Sequence, residues 1–185
     1  MRIIGGAFRG RRLASVGKGD EAARLRPTSD RVRESLFNVL MSGHREAVEG
    51  ARVLDLFAGT GALGLEALSR GAEEVVFVEN GRAAQRILRE NIALCGVEDQ
   101  TRVIARDARK PGPAPDGPFD LVFLDPPYGK GLGEAALAAA LTGGWIAPGA
   151  LIVWEEGGEV TPPPDLTLLD ERRYGDTVIR LFNVA

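Results

Sequence analysis

Two stretches of this 185-residue chain and one isolated acid could together hold a cofactor and a reacting group. The first stretch reads Asp55-Leu56-Phe57-Ala58-Gly59-Thr60-Gly61. Its glycines let a backbone turn sharply and approach a ligand, and a helix that starts at such a turn offers free N–H groups. Glu79 follows 24 residues after Asp55, at the end of a β-branched run, where an acid can hydrogen-bond the two hydroxyls of a ribose. A tight turn alone also uses GxG, but GxG with a strand-end acid at this distance points to a nucleoside-containing cofactor. The string Gly59-Thr60-Gly61-Ala62-Leu63-Gly64 fits dinucleotide spacing, so spacing leaves NAD open. Asp55 separates the readings. A carboxylate there would sit unfavourably near dinucleotide phosphates and is better matched to the amino group of a methionine moiety, as in S-adenosylmethionine.

The second stretch is Asp125-Pro126-Pro127-Tyr128, closing another apolar run. Asp before Pro-Pro is a good strand stop and turn in its own right. It can also do chemistry. The Asp125 carboxylate and the Pro126 carbonyl can accept both N–H bonds of a planar amine whose lone pair is delocalised, steering that lone pair toward a methyl donor. Proline has no N–H to compete, and Tyr128 offers a face for stacking an extruded base, worth about 1–3 kcal/mol. Neither a metal nor a covalent intermediate is required.

Short apolar runs alternating with helical patterns must position these groups. Runs at 53–56, 75–79, 102–105, 120–125 and 151–155 read as strands, and those at 166–170 and 177–182 as an antiparallel pair around a loop at 171–176. Helices are expected over about 61–70 and 134–141, and between them one with Ala84, Ile87, Leu88, Ile92 and Cys95 on its inner face. Another should start at Ser29 or Asp30, with Val32, Leu36, Val39 and Leu40 inward and Arg31, Arg33 and Glu34 outward. Residues 2–13 read as a hairpin-like arm and 16–26 as a loop. The fold class is therefore α/β: a doubly wound, mostly parallel, seven-stranded Rossmann-like sheet with a small basic N-terminal extension.

Composition bounds the function. Apolar residues make up 44% and charged residues 26%, an ordinary globular mix, and no apolar run is long enough to span a bilayer. One cysteine and one histidine give no disulfide framework, CxxC metal site or Cys–His pair by default. A soluble, cytoplasmic protein is expected, and a monomer. The net charge of −3 hides an asymmetry: residues 1–33 carry nine Lys/Arg against three acids. That end suits a polyanion, although 20 arginines against three lysines overall would also fit a solvated arm in an Arg-rich protein.

Asp125-Pro126-Pro127-Tyr128 with the turn at 55–61 upstream resembles class I methyltransferases that act on planar exocyclic amines. Met1-Arg2-Ile3-Ile4-Gly5-Gly6, the run from Arg26-Pro27-Thr28-Ser29-Asp30-Arg31-Val32-Arg33-Glu34 to Asn38, and Arg172-Arg173-Tyr174-Gly175 narrow the likeness. Nearly end to end, the chain resembles the bacterial 16S rRNA guanine(966)-N2 methyltransferases. The resemblance implies S-adenosylmethionine as cofactor and 16S rRNA, within the assembled or assembling small ribosomal subunit, as partner. It implies Asp55, Phe57, Gly59, Gly61, Glu79, Asn80, Asp107 and Ala108 at the cofactor, with Asp107 on the adenine amino group. It implies Asp125, Pro126 and Tyr128 at the target base, and Arg2, Arg9, Arg11, Arg12, Arg26, Arg31 and Arg33 as candidates for RNA, with Thr28, Arg31 and Arg33 open between RNA phosphate and the cofactor carboxylate. Residues 1–28 would form the RNA-contacting arm and 29–185 the methyltransferase domain. The rivals are the same chemistry on DNA adenine N6 or a protein glutamine, a noncatalytic RNA-binding assembly factor, and a nicotinamide dehydrogenase.

Overall fold

The computed structural model describes residues 1–16 and 28–185. All but the first residue of the loop expected at 16–26 falls outside the described residues, and so does Arg26. Strands β1 (Arg52–Leu56), β2 (Glu74–Val78), β3 (Thr101–Ile104), β4 (Phe119–Leu124), β5 (Ile146–Glu156), β6 (Leu166–Tyr174) and β7 (Thr177–Val184) form one sheet. Its order is β3-β2-β1-β4-β5-β7-β6. The first five run parallel, and β7 pairs antiparallel with both β5 and β6.

Helices α1 (Asp30–Gly43), α2 (Ala62–Ser69), α3 (Arg82–Cys95) and α4 (Leu132–Thr142) cover both faces. On one face, Leu36, Phe37 and Leu40 of α1, Leu65 of α2 and Leu88 and Ile92 of α3 pack on Val53, Phe123 and Val153. On the other, Ala136, Leu137 and Ala140 of α4 pack with Trp145 and Trp154 against Leu54, Leu56 and Val122. Strands buried on both sides explain why Val75–Val78 of β2 and Leu121–Leu124 of β4 are continuously apolar and why β1 is broken only by the buried Asp55 after Arg52.

The arm folds back on the domain. Arg2 and Arg12 form an antiparallel bridge, and Ile3 and Leu13 enter the same core cluster as α1 and α2. Its backbone is satisfied by buried polar side chains of α2 and α3. Glu66 accepts from the N–H groups of Ile4 (2.9 Å) and Gly5 (3.0 Å). Ser69 accepts from Phe8, and Asn91 both accepts from and donates to Ala14.

Two expectations are corrected. Arg33 does not face outward with Arg31 and Glu34: it is fully buried beside Leu36, Phe37 and Leu40, on the inner face of α1. Its Nη2 donates to Asp30 (2.8 Å) and to the Arg2 carbonyl, and its Nε lies 3.7 Å from Glu66. The buried carboxylate of Glu66 also pairs with Arg70 at 3.0 Å, so charge is balanced inside the core and Arg33 cannot reach RNA. Residues 171–174 are likewise not loop. β6 continues through them to Tyr174, with a register shift between Leu168 and Asp170, and forms an open sheet edge.

Glu66→Ala removes the buried carboxylate beside Arg33 and Arg70, leaves Arg33 with the half-exposed Asp30 alone among the described carboxylates, and strips two arm N–H groups of their acceptor. Removing one partner of a buried pair costs about 3–5 kcal/mol, which urea unfolding should register. A loss below about 1 kcal/mol would mean the arm and Glu66 are not coupled in this way.

Candidate functional site

In an open α/β sheet the ligand crevice lies beyond the carboxyl ends of the strands where the order reverses. Here that point is between β1 and β4, paired Asp55↔Phe123 and Leu56↔Leu124. Asp125 is therefore two residues beyond the partner of Asp55 and shares its face. Leu124 pairs with Trp154, which brings Glu155 of β5 alongside Asp125. Three carboxylates from three strands thus meet at the end of the sheet.

Asp55 is 1% exposed and accepts from the Gly64 N–H at 3.0 Å, so it ties β1 to the first turn of α2. Burial holds its carboxyl well above the usual range; the Gly64 bond opposes this and the Glu79 charge adds to it. Gly61 caps α2 at φ +82°, and a Cβ there would come within 2.4 Å of Leu88, so only glycine fits. Phe57 also holds a left-handed φ of 58°, which is costly for a bulky residue and marks a tightly determined turn.

Beside this turn a cleft is lined by Phe57, Val78, Glu79, Asn80, Arg106, Asp107 and Ala108. It gathers five of the residues expected at the cofactor, from the connections that follow β1, β2 and β3. Glu79 accepts from the Gly59 and Gly81 N–H groups, each at 2.8 Å, and so braces both turns while each oxygen keeps a lone pair. Asp107 is gripped by the Arg109 guanidinium at 2.6 Å, and that bond first of all holds its carboxyl below the usual range.

At the opposite side of the crevice, the Tyr128 hydroxyl is 2.7 Å from Glu155 Oε1 and 2.9 Å from the Thr177 hydroxyl. Its ring leans on Gly157, where a Cβ would come within 2.7 Å. Thr28, just before the α1 cap Ser29, donates to Glu155 Oε2 at 2.9 Å and lies 3.3 Å from Asp125 Oδ2. The partly enclosed Asp125 is held well above the usual carboxylate range, first by burial and then by the charges of Glu155 and Asp55, against the Thr28 bond. Glu156 braces the loop after Tyr128 by accepting from Gly129 (3.1 Å) and Gly157 (2.8 Å). Sequence reasoning missed Glu155, Glu156 and Thr177. The only signal was two acids closing an apolar strand.

Arg2, Arg9, Arg11, Arg12 and Arg31 are all exposed. Arg11 donates to the Leu94 carbonyl at 3.2 Å, which sets the arm against the last turn of α3. Along that helix Arg82, Arg86 and Arg89 are exposed at helical spacing, with Glu90 its one acid. This stripe was also missed, because charge was counted by chain segment rather than by helix face.

A seven-stranded sheet ending in one antiparallel hairpin, with acids at the ends of β1 and β5 and just beyond β4 around a glycine turn, is the Rossmann-like architecture of methyltransferases. The family described as "Conserved hypothetical protein 95" matches residues 1–183. Over 185 aligned residues the chain is 40% identical to "Ribosomal RNA small subunit methyltransferase D" of Escherichia coli, covering 98% of this chain and 89% of that one. The Haemophilus influenzae protein of the same name is 38% identical, covering 98% and 93%. The solved structure of yhhF from Escherichia coli superposes with a TM-score of 0.84 at 40% identity, over 100% of this chain and 97% of that one. The chain belongs to this family of methyltransferases. Among the described residues no helix is long and apolar enough to cross a membrane.

Burial first, and then the neighbouring acids against the Thr177 bond, push the Tyr128 phenol above its ordinary value. Tyr128 and Tyr174 are the two tyrosines, so Tyr174→Phe isolates it. Alkaline titration of phenolate absorbance in that variant should show no step near the ordinary value of about 10. A step there would mean the hydroxyl is not held by Glu155 and Thr177.

Proposed function

We propose that this protein transfers a methyl group from S-adenosylmethionine to the exocyclic N2 of guanine 966 in 16S rRNA, acting in the cytoplasm on the assembled or assembling small ribosomal subunit. The observation that carries the reading is the placement of Asp125 beside the Asp55–Gly61 turn at the β1–β4 crevice. The cleft of Phe57, Glu79, Asn80, Asp107 and Ala108 suits a nucleoside, and the relatives at 38–40% identity are named for small-subunit rRNA. The bound cofactor supplies a methyl group already activated on a sulfonium.

This chain's residues then handle the amine. The Asp125 carboxylate and the Pro126 carbonyl accept its two N–H bonds, turning the nitrogen lone pair toward the methyl carbon. As the N–C bond forms, the S–C pair returns to sulfur and positive charge grows on nitrogen beside Asp125. The N–H proton then passes to Asp125, its electron pair staying on nitrogen. Asp55 and Glu79 hold the turns, and the Tyr128 ring gives the base a stacking surface. Residues 1–28 serve as the RNA-contacting segment on the 29–185 methyltransferase domain. The exposed arginines of the arm and α3 support this, because each phosphate contact releases counterions.

Labelled methyl from S-adenosylmethionine should reach unmodified small subunits, map to one guanine N2, and vanish with Asp125→Ala. Label on duplex DNA or on protein instead would replace this reading with one of its rivals. No label, despite cofactor binding, would leave a noncatalytic factor. The stripe makes a separate prediction. Changing Arg82, Arg86 and Arg89 together to Gln should flatten the salt dependence of rRNA binding by about two to three units of log–log slope. An unchanged slope would remove α3 from the RNA surface.

A further inference from the structure

Glu155 is a carboxylate only 6% exposed, directly after the apolar core run Ala150–Trp154 of β5. Placing an acid there is costly unless its oxygens are bonded. Both are bonded to hydroxyls, and both hydroxyls belong to the amine site. Oε1 takes Tyr128 at 2.7 Å, whereas Oε2 takes Thr28 at 2.9 Å, and Thr28 lies 3.3 Å from Asp125.

We propose that Glu155 is the positioning residue of the amine site, anchoring Tyr128 directly and Asp125 through the Thr28 hydroxyl. The inference rests on the reading that Asp125 receives the amine. Thr28 has one proton to donate, and its shorter bond gives that proton to Glu155. With both carboxyls ionised, Asp125 then keeps only the longer and weaker share of that donor. A proton on Asp125 restores a bond to Thr28, but it also occupies the oxygen needed by an N–H of the amine. Glu155 therefore does two things at once. It fixes where Thr28 and Tyr128 stand, and its charge favours the protonated form of Asp125. Among the described residues the other groups that bear on Asp125 are Asp55 from β1, Glu156 from β5 and Thr28 from the segment entering α1. The Asp55 and Glu156 charges push in the same direction as Glu155, and among these groups only Thr28 opposes them.

The sign of the pH effect follows. Asp125 must be ionised to accept the amine, so the rate falls as pH drops through its raised titration point. Glu155→Gln keeps the shape, removes one negative charge, and supplies an amide N–H that can donate to the Thr28 oxygen. The Thr28 proton is then released toward Asp125, and both changes favour the Asp125 anion.

The test is single-turnover methylation of unmodified small subunits across pH. In Glu155→Gln the acid limb should move down by about one pH unit. Thr28→Val should lower the rate about 10- to 100-fold, with S-adenosylmethionine affinity by calorimetry within about twofold of the parent and Thr28→Ser recovering most of the loss. A Glu155→Gln enzyme that is slower at every pH with its acid limb unmoved would overturn the inference. So would Thr28→Ser performing no better than Thr28→Val. If Glu155→Gln does not fold, the Thr28 pair decides: recovery by serine supports positioning, and equal rates overturn it. Failure of the underlying reading looks different. Asp125→Asn at the parent rate would show that Asp125 does not hold the amine, and the inference would fall with it. An inactive Asp125→Asn beside an unmoved Glu155→Gln limb removes the positioning role alone.

Discussion

Everything at the site depends on β1 pairing with β4 across the point where the strand order reverses. The connections after these two strands run in opposite directions, so a crevice opens between them. The same register sets Asp55 and Asp125 on one face, and β5 adds Glu155 to the row. Like charges so close would repel in a dry setting, and each is countered locally. Asp55 has a backbone N–H, Glu155 has two hydroxyls, and Asp125 has Thr28. Asp125 keeps the weakest hold on a donor and is therefore the one readiest to accept a new one.

The buried Arg33 links this row to the far end of the chain. It joins the Arg2 carbonyl, Asp30 and Glu66, and so fixes the arm, α1 and α2 as a unit. Thr28 stands one residue before the α1 cap, where its position follows from that of the helix. Asn91 makes a second link, reaching both Ala14 of the arm and the Thr60 carbonyl of the glycine turn. The basic arm at residues 2–14, which composition alone would leave waving in solvent, is thus part of the same packed body as the crevice.

Much of this was legible in the amino-acid order. Apolar runs flanked by turns mark the strands to within a few residues, because a strand buried on both sides must be continuously hydrophobic. The glycine turn, Glu79 and Asp125-Pro126-Pro127-Tyr128 all lie in the crevice region, because strand ends are where an α/β sheet exposes its loops. Arg33 was misread for a specific reason. Its spacing to Leu36, Phe37 and Leu40 was that of the inner face, but its charge was taken as proof of exposure. Glu66, which makes the burial tolerable, is 33 positions away, and no local pattern relates the two. Glu155 and Thr177 escaped, and Thr28 was expected at phosphate or the cofactor carboxylate rather than at Asp125, for a related reason: they meet Asp125 and Tyr128 only through sheet register and the entry of α1.

One feature far from the crevice bears on how the molecule behaves in a crowded solution. β6 ends the sheet, and Leu168 and Leu169 there are 50% and 47% exposed. An open strand with two bare leucines is a template on which a neighbouring chain could stack. The register shift after Leu168 breaks the regular ladder at that spot, and Asp170, Glu171, Arg172 and Arg173 follow it with alternating pairs of opposite sign. A second strand laid along this edge would lose its hydrogen-bond rhythm at the leucines and then bring buried charge against charge. Bulge and charge at β6 therefore work against a neighbouring chain extending the sheet at this edge.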